Sequence, residues 1–296
     1  MARSPSVPDS RASPSISLVT CSYQQGQYLD ATMRSVLNQN YPDLEYVVID
    51  GNSTDESVDV IRRHESKLAS WVSEPDAGQT DALIKGFDRT DGEIMGWLCS
   101  DDLLLPGALQ AVGEFFARNP HEMAVYGDAL WIDGDGQFLR PKREMPFSRF
   151  VFLYDHNYIP QPSMFWRRSL YRQVGGLNRT FNLAMDGDLW DRFAQHTRIA
   201  HVRRYLSCMR CYPEQKTRAL RPKAMRENAA LRIRRSGQIT ESLYPVLYPC
   251  AKALRVAIKA LRGGYGASVP DEHLAWLKEL RHTERLHRGA SSGVPS

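Results

Sequence analysis

Two adjacent carboxylates, Asp101 and Asp102, follow an apolar segment that ends at Leu98. Enzymes that break a bond to a diphosphate must offset the negative charge that builds on this leaving group, and a hard cation held by one or two carboxylates does so. The pair therefore predicts a site for Mg²⁺ or Mn²⁺. The alternative interpretation is structural, because an aspartate before the apolar run that begins at Leu103 is also typical of a helix N-cap.

The segments around this pair alternate between strand and helix patterns. Short apolar, β-branched runs predict four strands, at Ser15–Thr20, Asp43–Asp50, Trp71–Ser73 and Glu93–Leu98. Apolar residues at helical spacing predict helices at Tyr28–Asn38, Val58–Arg62, Thr80–Phe87 and Leu103–Phe116. Because the strands are apolar on both faces, this order predicts a mostly parallel sheet covered by helices, the α/β class.

Polar residues follow the carboxyl end of each predicted strand. Ligands bind at that edge of a parallel sheet. The four loops are Cys21–Tyr23, Asp50–Ser53, Glu74–Asp76 and Ser100–Asp102. The sequence therefore predicts one polar site where these loops converge.

The second half of the chain continues with a β-hairpin and further helices. Met123–Ile132 and Gln137–Leu139 flank a turn that contains Asp133 and Asp135. A calcium loop is the alternative for these two aspartates, but no glutamate closes the motif. Helices are predicted at Ser169–Val174 and Asp188–Gln195, and over most of Lys223–Leu261.

The composition of the 296 residues is that of a globular protein, with 42% hydrophobic and 24% charged residues. A formal net charge of +4 without basic–aromatic tracts indicates no nucleic-acid partner. The five cysteines are scattered and do not form the pattern of a disulfide framework. The first residues lack an apolar signal segment, and no apolar run is long enough to span a membrane. We therefore expect a cytoplasmic protein. The spacing of Cys208 and Cys211 does not by itself indicate a metal site.

Seven motifs, in matching order and separation, resemble the family 2 glycosyltransferases, which have the GT-A fold, a Rossmann-like sheet flanked by helices. They are Val19–Tyr23, Ser35–Gln39, Glu45–Asp55, Ser73–Ala82, Gly96–Asp102, Pro160–Ser163 and Met185–Trp190. The resemblance runs from about Ser15 to about Thr217 and implies a GT-A domain at 15–217. We expect a disordered leader at 1–14, a helical C-terminal extension at 218–289 and a disordered tail at 290–296.

The resemblance implies transfer of a sugar, with inversion, from a nucleotide-diphosphate sugar, UDP- or dTDP-linked, to an acceptor hydroxyl. Its donor-binding positions correspond here to Thr20, Ser22, Tyr23 and Asp50 for the nucleobase and ribose, and to Asp76, Gly78 and Gln79 in the donor-facing loop. Asp102 matches the metal ligand, and Asp101 matches the neighbour that reaches the ribose or the metal's water. The alternative for Asp50 is a helix cap for the segment that begins near Ser53.

The same resemblance assigns the catalytic base to Asp186, which would deprotonate the acceptor hydroxyl as it attacks the anomeric carbon. Family members carry a Glu-Asp pair here, whereas this chain has Met185 before the aspartate. Asp188 is the competing carboxylate, and its place in the sequence favours helix capping.

A second departure lies at Met209–Pro213, where many relatives have a histidine that joins the metal or the leaving phosphate. Tyr212 stands at this position, and Arg210 is retained. We expect Arg210, with Lys216, to neutralise the donor phosphates; the alternative is weaker donor binding. Acceptor-pocket or core positions are predicted for Phe165, Trp166 and Gln161–Ser163.

The resemblance leaves the acceptor open among glycans, lipid-linked molecules and small molecules, in polysaccharide, lipopolysaccharide or other glycoconjugate biosynthesis. The two departures keep a non-catalytic nucleotide-sugar-binding relative as an alternative. A nucleotidyltransferase is a further alternative, but residues 20–27 lack the Gly-rich, basic loop that those enzymes usually carry.

Residues Leu243–Leu261 combine apolar and basic positions. This pattern predicts a peripheral contact with the inner face of the cell membrane through residues 250–262, since Pro245 and Pro249 would interrupt an earlier helix. The alternative is a helix packed against the catalytic domain or a partner subunit. The charges that would attract anionic lipid belong to Lys252, Arg255, Lys259 and Arg262.

Overall fold

The computed structural model describes residues 13–291, apart from the side chains of residues 217, 238–241 and 285–291. The predicted leader at 1–14, except its last two residues, and residues 292–296 of the predicted tail lie outside the described residues.

The first half of the chain alternates strands with helices, as predicted. Its strands form the parallel order β3-β2-β1-β4, because each helix returns the chain to the same end of the sheet. The elements are β1 (Ile16–Ser22), α1 (Gly26–Leu37), β2 (Leu44–Asp50), α2 (Ser57–His64), β3 (Ser70–Ser73), α3 (Gln79–Phe87) and β4 (Ile94–Cys99).

The second half extends this sheet and ends in helices. The elements are β5 (Leu103–Leu104), α4 (Ala108–Arg118), β6 (Ala124–Asp133), β7 (Phe138–Lys142), α5 (Arg149–Tyr154), β8 (Met164–Arg167), α6 (Arg168–Gln173), α7 (Met185–Phe193), β9 (Ile199–Cys211), α8 (Lys216–Ala219), α9 (Arg221–Ser242), α10 (Tyr244–Leu261) and α11 (Asp271–Ser291).

The nine-stranded sheet is mixed in its second half. It continues from β4 through β8, β6 and β9 to β5, and β7 pairs with β6. Strand β8 is antiparallel to both of its neighbours, whereas β9 is parallel to β6. The predicted hairpin is confirmed as β6–β7, and its turn is held by Asp133, whose Oδ1 accepts hydrogen bonds from the backbone of Asp135 and Gln137.

The segment after the acidic pair differs from the prediction. Leu103 and Leu104 form a short strand against β9, and the helix begins only at Ala108, after Gly107 with φ +77°. Asp102 therefore does not cap a helix. Its backbone lies between two strands, and its carboxylate is left for another role.

The core lies on both faces of the sheet, and the C-terminal helices are part of it. Leu231 of α9 and Ala251 of α10 are buried in the cluster that contains Trp97 and Trp166. Phe165 is buried on the other face. Both aromatic residues of β8 thus belong to the core and do not wall an acceptor pocket. None of the helices within residues 13–291 combines the length and the hydropathy that a bilayer-spanning segment needs.

Candidate active site

A cleft of about 1630 Å³ opens along the carboxyl ends of the parallel strands. The loops after β1, β2, β3 and β4 all contribute to its lining, which meets the expectation that four polar loops converge on one site. Residues of α7, α9 and α10 complete the lining. The C-terminal extension is therefore part of the cleft.

The acidic pair lies in this cleft. One carboxylate oxygen each of Asp101 and Asp102 and the Sγ of Cys99 lie within 4.8 Å of one another. Burial raises the pKa of Asp102 well above its usual range, and the charge of Asp101 raises it further. Burial also raises the pKa of Asp101. Two buried carboxylates side by side repel each other, so their oxygen ligands fit a divalent cation that would offset both charges.

Arg210 supports this pair from behind and does not line the cleft. Its fully buried side chain donates from Nε to the backbone oxygen of Asp101 at 2.9 Å and from a terminal nitrogen to that of Gly134 at 3.0 Å. A second terminal nitrogen pairs with Glu284. This corrects the expectation that Arg210 meets the donor phosphates, because its guanidinium donors are taken up by the protein. Its backbone N–H donates to Oδ1 of Asp102 at 2.9 Å.

Tyr212, at the position of the family's histidine, contacts the same pair. Its hydroxyl donates to Oδ2 of Asp101 at 2.8 Å and lies 3.3 Å from Nε2 of Gln25. The phenol therefore orients Asp101 by a hydrogen bond.

The predicted donor-facing loop lines the cleft next to a cation. Gly78 has φ +108°, and a Cβ there would lie 3.1 Å from Nδ2 of Asn182, so the backbone needs glycine. Gln79 donates to Sγ of Cys99 at 3.2 Å and accepts from Nζ of Lys216 at 3.3 Å. Lys216 also donates to Oδ1 of Asn182 at 2.9 Å. Of the two cations expected at the donor phosphates, Lys216 lines the cleft and Arg210 does not.

The loop after β1 reaches the cleft through two of its three predicted residues. Ser22 and Tyr23 line it, and Tyr23 is 63% exposed. Thr20 does not, because its side chain is buried and its hydroxyl is 3.0 Å from that of Tyr46. Thr20 is therefore a core residue.

Asp50 is also turned away from the cleft. Its buried carboxylate accepts hydrogen bonds from the backbone and the hydroxyl of Ser53, at 2.8 and 2.6 Å, and from the hydroxyl of Ser73 at 2.7 Å. The alternative role near Ser53 therefore describes its contacts better than contact with the nucleobase. Asp76 lines the cleft instead, with Oδ1 accepting from the backbone of Gly78 at 2.7 Å.

Asp186 lies in the first turn of α7 and lines the cleft. Its two oxygens accept hydrogen bonds from the backbone of Gly187 at 2.7 Å and from Nδ2 of Asn157 at 2.9 Å. Burial nevertheless raises its pKa to about 6, because these donors offset only part of the desolvation. A carboxylate with this pKa is a better proton acceptor near neutral pH than an ordinary aspartate.

Asp188 has a structural role, but it is not a helix cap. A helix capped by Asp188 would begin four residues later than α7 does, and the N-cap of α7 is Ala184. The fully buried carboxylate pairs with Arg192 at 2.8 Å and with Arg234 and Arg235 of α9. It is thus enclosed by arginines and does not line the cleft.

Several residues of the site carried no signal in the sequence. Asn157 belongs to a loop without a motif, and its contact with Asp186 follows only from the folded chain. The cleft residues of α9 and α10, including Arg232 and Tyr244, lie outside the segment that resembles the family.

Comparison with known proteins identifies the family. Residues 17–175, more than half of the chain, match the family model described as Glycosyl transferase family 2. The chain belongs to glycosyltransferase family 2. As a member of this family, it has the α/β, GT-A architecture that its motifs predicted, with a helical C-terminal region.

Two curated relatives are similar over about three fifths of the chain. An uncharacterized glycosyltransferase of Mycobacterium tuberculosis is 31% identical over 179 residues, which cover 59% of this chain and 67% of that protein. An O-antigen biosynthesis protein of Myxococcus xanthus is 29% identical over 199 residues, which cover 64% of this chain and 15% of that protein.

Solved structures share the fold at low sequence identity. Residues 1–349 of S. aureus TarS, in complex with UDP-GlcNAc, align with a TM-score of 0.57 at 15% identity, covering 79% of this glycosyltransferase and 70% of that chain. A mannosyltransferase from Pyrobaculum calidifontis, in complex with GDP-Man and Mn²⁺, aligns with a TM-score of 0.59 at 18% identity, covering 98% and 83%. In another structure of S. aureus TarS, 39% of that chain is covered.

Proposed function

We propose that this glycosyltransferase transfers a sugar, with inversion, from a UDP- or dTDP-sugar to an acceptor hydroxyl. The observation that carries the proposal is that Asp186 and the acidic pair Asp101–Asp102 line one cleft from different elements. Solved proteins with the same fold were obtained with UDP-GlcNAc and with GDP-Man and Mn²⁺, which supports a nucleotide-sugar donor and a divalent metal.

The donor would occupy the part of the cleft next to the parallel strands. The exposed ring of Tyr23 offers a face for the nucleobase, and the buried hydroxyl of Ser22 has no hydrogen-bond partner among the described residues. Asp102, with Asp101 beside it, would hold Mg²⁺ or Mn²⁺, which supplies positive charge opposite the departing diphosphate. Lys216 adds a second positive charge close to the acidic pair. It donates a hydrogen bond to Gln79, and Gln79 contacts Cys99, which lies beside the pair.

Asp186 would accept the proton of the acceptor hydroxyl as that oxygen attacks the anomeric carbon. The backbone of Gly187 and the amide of Asn157 hold its two oxygens in place. Attack from the face opposite the nucleotide inverts the anomeric configuration. The products are the glycosylated acceptor and a nucleoside diphosphate, and the proton remains on Asp186 until solvent removes it.

The test replaces Asp186 by Asn, which keeps the shape but removes the base. We expect nucleoside diphosphate release from a panel of UDP- and dTDP-sugars to fall by about 10² to 10⁴-fold, with donor affinity unchanged in a binding titration. Donor binding by the wild-type chain without any turnover would favour the non-catalytic alternative. Turnover by Asp186→Asn at the wild-type rate would assign the base to another residue.

The name of the Myxococcus xanthus relative supports a role in O-antigen-type or other envelope polysaccharide biosynthesis. We place the enzyme in the cytoplasm at the inner face of the membrane. All five cysteines are free thiols, which suits a reducing compartment.

Helix α10 supports the peripheral membrane contact in a modified form. It runs over Tyr244–Leu261, so the expected interruption at Pro245 and Pro249 is wrong. Pro245 lies in the first turn, where the missing N–H costs nothing, and Pro249 lies inside the helix. Arg255 pairs with Asp155, and Lys259 donates to Glu144 at 3.1 Å. Two of the four predicted lipid-facing charges therefore hold the helix on the catalytic domain, as the alternative interpretation expected.

The opposite face of α10 is apolar and exposed. The helix has no acidic residue, and Lys252 and Arg262 at its exposed side and end supply positive charge. Because residues of the same helix line the cleft, an anionic membrane on this face would bring a lipid-linked acceptor near Asp186. The exposed apolar residues, here called the outer face of α10, are Leu243, Val246, Leu254, Val256 and Leu261.

A further inference from the structure

Helix α9 packs one face against the helix that carries Asp186. Four of its residues contact the region of α7: Glu227, Leu231, Arg234 and Arg235. Their spacing of three or four residues puts them on one side of a helix. This side of α9 therefore contacts α7 along more than two turns.

Glu227 makes the most specific of these contacts. One of its carboxylate oxygens accepts hydrogen bonds from the backbone N–H groups of Asn182, Leu183 and Ala184, at 3.0, 2.7 and 3.0 Å. These groups directly precede α7, which begins at Met185.

The N-cap residue of helix α7 makes no side-chain cap hydrogen bond. This residue is Ala184, whose methyl group cannot accept a hydrogen bond. The first N–H groups of a helix have no partner inside the helix, and a negative charge beside them is favourable. Glu227 places a negative charge at this helix start and accepts from the N-cap residue Ala184 and the two residues before it, although it is 43 residues away from Ala184 in the chain.

The segment that Glu227 holds is the same one that presents Asp186. Every residue from Asn182 to Asp186 lines the cleft. We propose that Glu227 of the C-terminal extension is the positioning residue for Asp186, holding the start of α7 so that the base meets the acceptor hydroxyl. This inference rests on the proposed role of Asp186 as the base.

The consequence is a loss of rate when the carboxylate is removed. Without Glu227, three N–H groups lose their acceptor, and the first turn of α7 can shift. A displacement of about 1 Å costs about 10²-fold in rate for a group that must meet its partner in the transition state. The loops proposed to bind the nucleotide follow β1 and β3 and do not contact Glu227. Asn182, which Glu227 holds, accepts a hydrogen bond from Lys216, so we expect donor affinity to change far less than the rate.

The experiment compares Glu227→Ala with Glu227→Gln in the full chain. The readouts are the rate of nucleoside diphosphate release, the donor Kd and the melting temperature. We expect about 10²-fold slower turnover for Glu227→Ala, with a much smaller change in donor Kd, and a smaller loss for Glu227→Gln, which keeps an acceptor oxygen. Glu114→Ala, at an exposed glutamate of α4 that pairs with Arg118, is the matched control and should behave as the wild type.

A double-mutant cycle separates positioning from stability. If Glu227 acts through Asp186, adding Glu227→Ala to Asp186→Asn should cause little further loss of rate. Additive losses, or a lower melting temperature with an unchanged rate, would overturn the inference. The proposed function fails separately, when Asp186→Asn alone leaves turnover intact.

Discussion

The carboxylate of Asp186 has a raised pKa because burial in the cleft removes more hydration than its hydrogen bonds replace. The donors from Asn157 and Gly187 lower the pKa, and burial raises it by more, to about 6. Above this pH the carboxylate is charged and able to accept a proton, and below it the proton is already bound. A carboxylate whose pKa is raised by burial in a cleft is typical of catalytic sites.

The first prediction is a pH dependence set by this group. We expect kcat/KM to fall about tenfold per pH unit below pH 6 and to level off above it, measured by nucleoside diphosphate release in buffers of constant ionic strength. Asn157→Ala removes a donor to the charged form and should move this limb to higher pH. Asn119→Ala, an exposed asparagine at the end of α4, should not. A limb that stays in place in Asn157→Ala would contradict the assignment.

The second prediction concerns the acidic pair. Asp102→Asn removes one of two charges that a divalent cation would offset, so we expect turnover to collapse and Mn²⁺ binding, measured by calorimetry, to be lost. Chelation of the wild-type enzyme should have the same effect on turnover, with recovery on adding Mg²⁺ or Mn²⁺. The melting temperature should not fall, because the buried carboxylate is costly without a cation. Full turnover in chelator would exclude the metal requirement.

At the scale of elements, β9 and α9 support the site from behind. Strand β9 brings the backbone of Arg210 to Asp102 and the side chain of Tyr212 to Asp101. Helix α9 brings Arg234 and Arg235 to two fully buried aspartates of α7. These contacts leave Asp186 as the carboxylate of α7 that faces the cleft.

The third prediction separates Asp188 from the chemistry. Asp188→Asn leaves Arg192 and the arginines of α9 without their buried anion, so we expect the free energy of unfolding to fall by about 3 kcal/mol in urea titrations. Donor affinity should remain. Asp59→Asn, at an exposed aspartate that pairs with Arg62, should leave the unfolding free energy nearly unchanged. An Asp188→Asn protein as stable as the wild type but without turnover would make Asp188 the base.

At the scale of the whole molecule, charge is distributed unevenly. Residues 216–262 contain twelve lysines and arginines and two glutamates. Some of these cations bind the catalytic domain, and others, such as Arg221, Lys223 and Arg226, are exposed. The C-terminal extension therefore completes the cleft on one side and presents basic and apolar surface on the other.

The fourth prediction tests that surface. We expect the enzyme to float with vesicles that contain anionic phospholipid and not with vesicles of phosphatidylcholine alone, because apolar burial and charge act together. Val246→Ser combined with Leu254→Ser and Leu261→Ser should abolish flotation without changing donor turnover. The control replaces Leu139 and Phe150, two exposed apolar residues of the catalytic domain, by Ser.

Two outcomes would contradict the membrane contact. The first is failure of the wild-type enzyme to float with either vesicle. The second is a concentration-dependent dimer, seen by sedimentation, that the outer-face variant loses, which would make this surface a contact between two copies of the chain.

Most of the fold and much of the site follow from the sequence because their signals are local. The apolar period of each strand and helix indicates the α/β order, and the parallel strands that this order produces bring the loops with Tyr23, Asp76 and Asp102 to one edge. The motif around Asp186 likewise indicates the proposed base, although its helix begins at Met185 and not at Asp188 as predicted. These features depend on residues that are close in the sequence, so the sequence pattern predicts them.

Only the tertiary structure decided which distant group takes up each polar side chain. Arg210 and Asp102 are 108 residues apart, and Glu227 and Asn182 are 45 apart. Three side chains that were expected to contact a ligand contact the protein instead. Arg210 donates to backbone carbonyls, Asp50 accepts from two serines, and Arg255 pairs with Asp155. A buried polar group must find a partner, and packing determines which one lies within hydrogen-bond distance. The periodicity and the composition of a sequence do not determine which distant group becomes that partner.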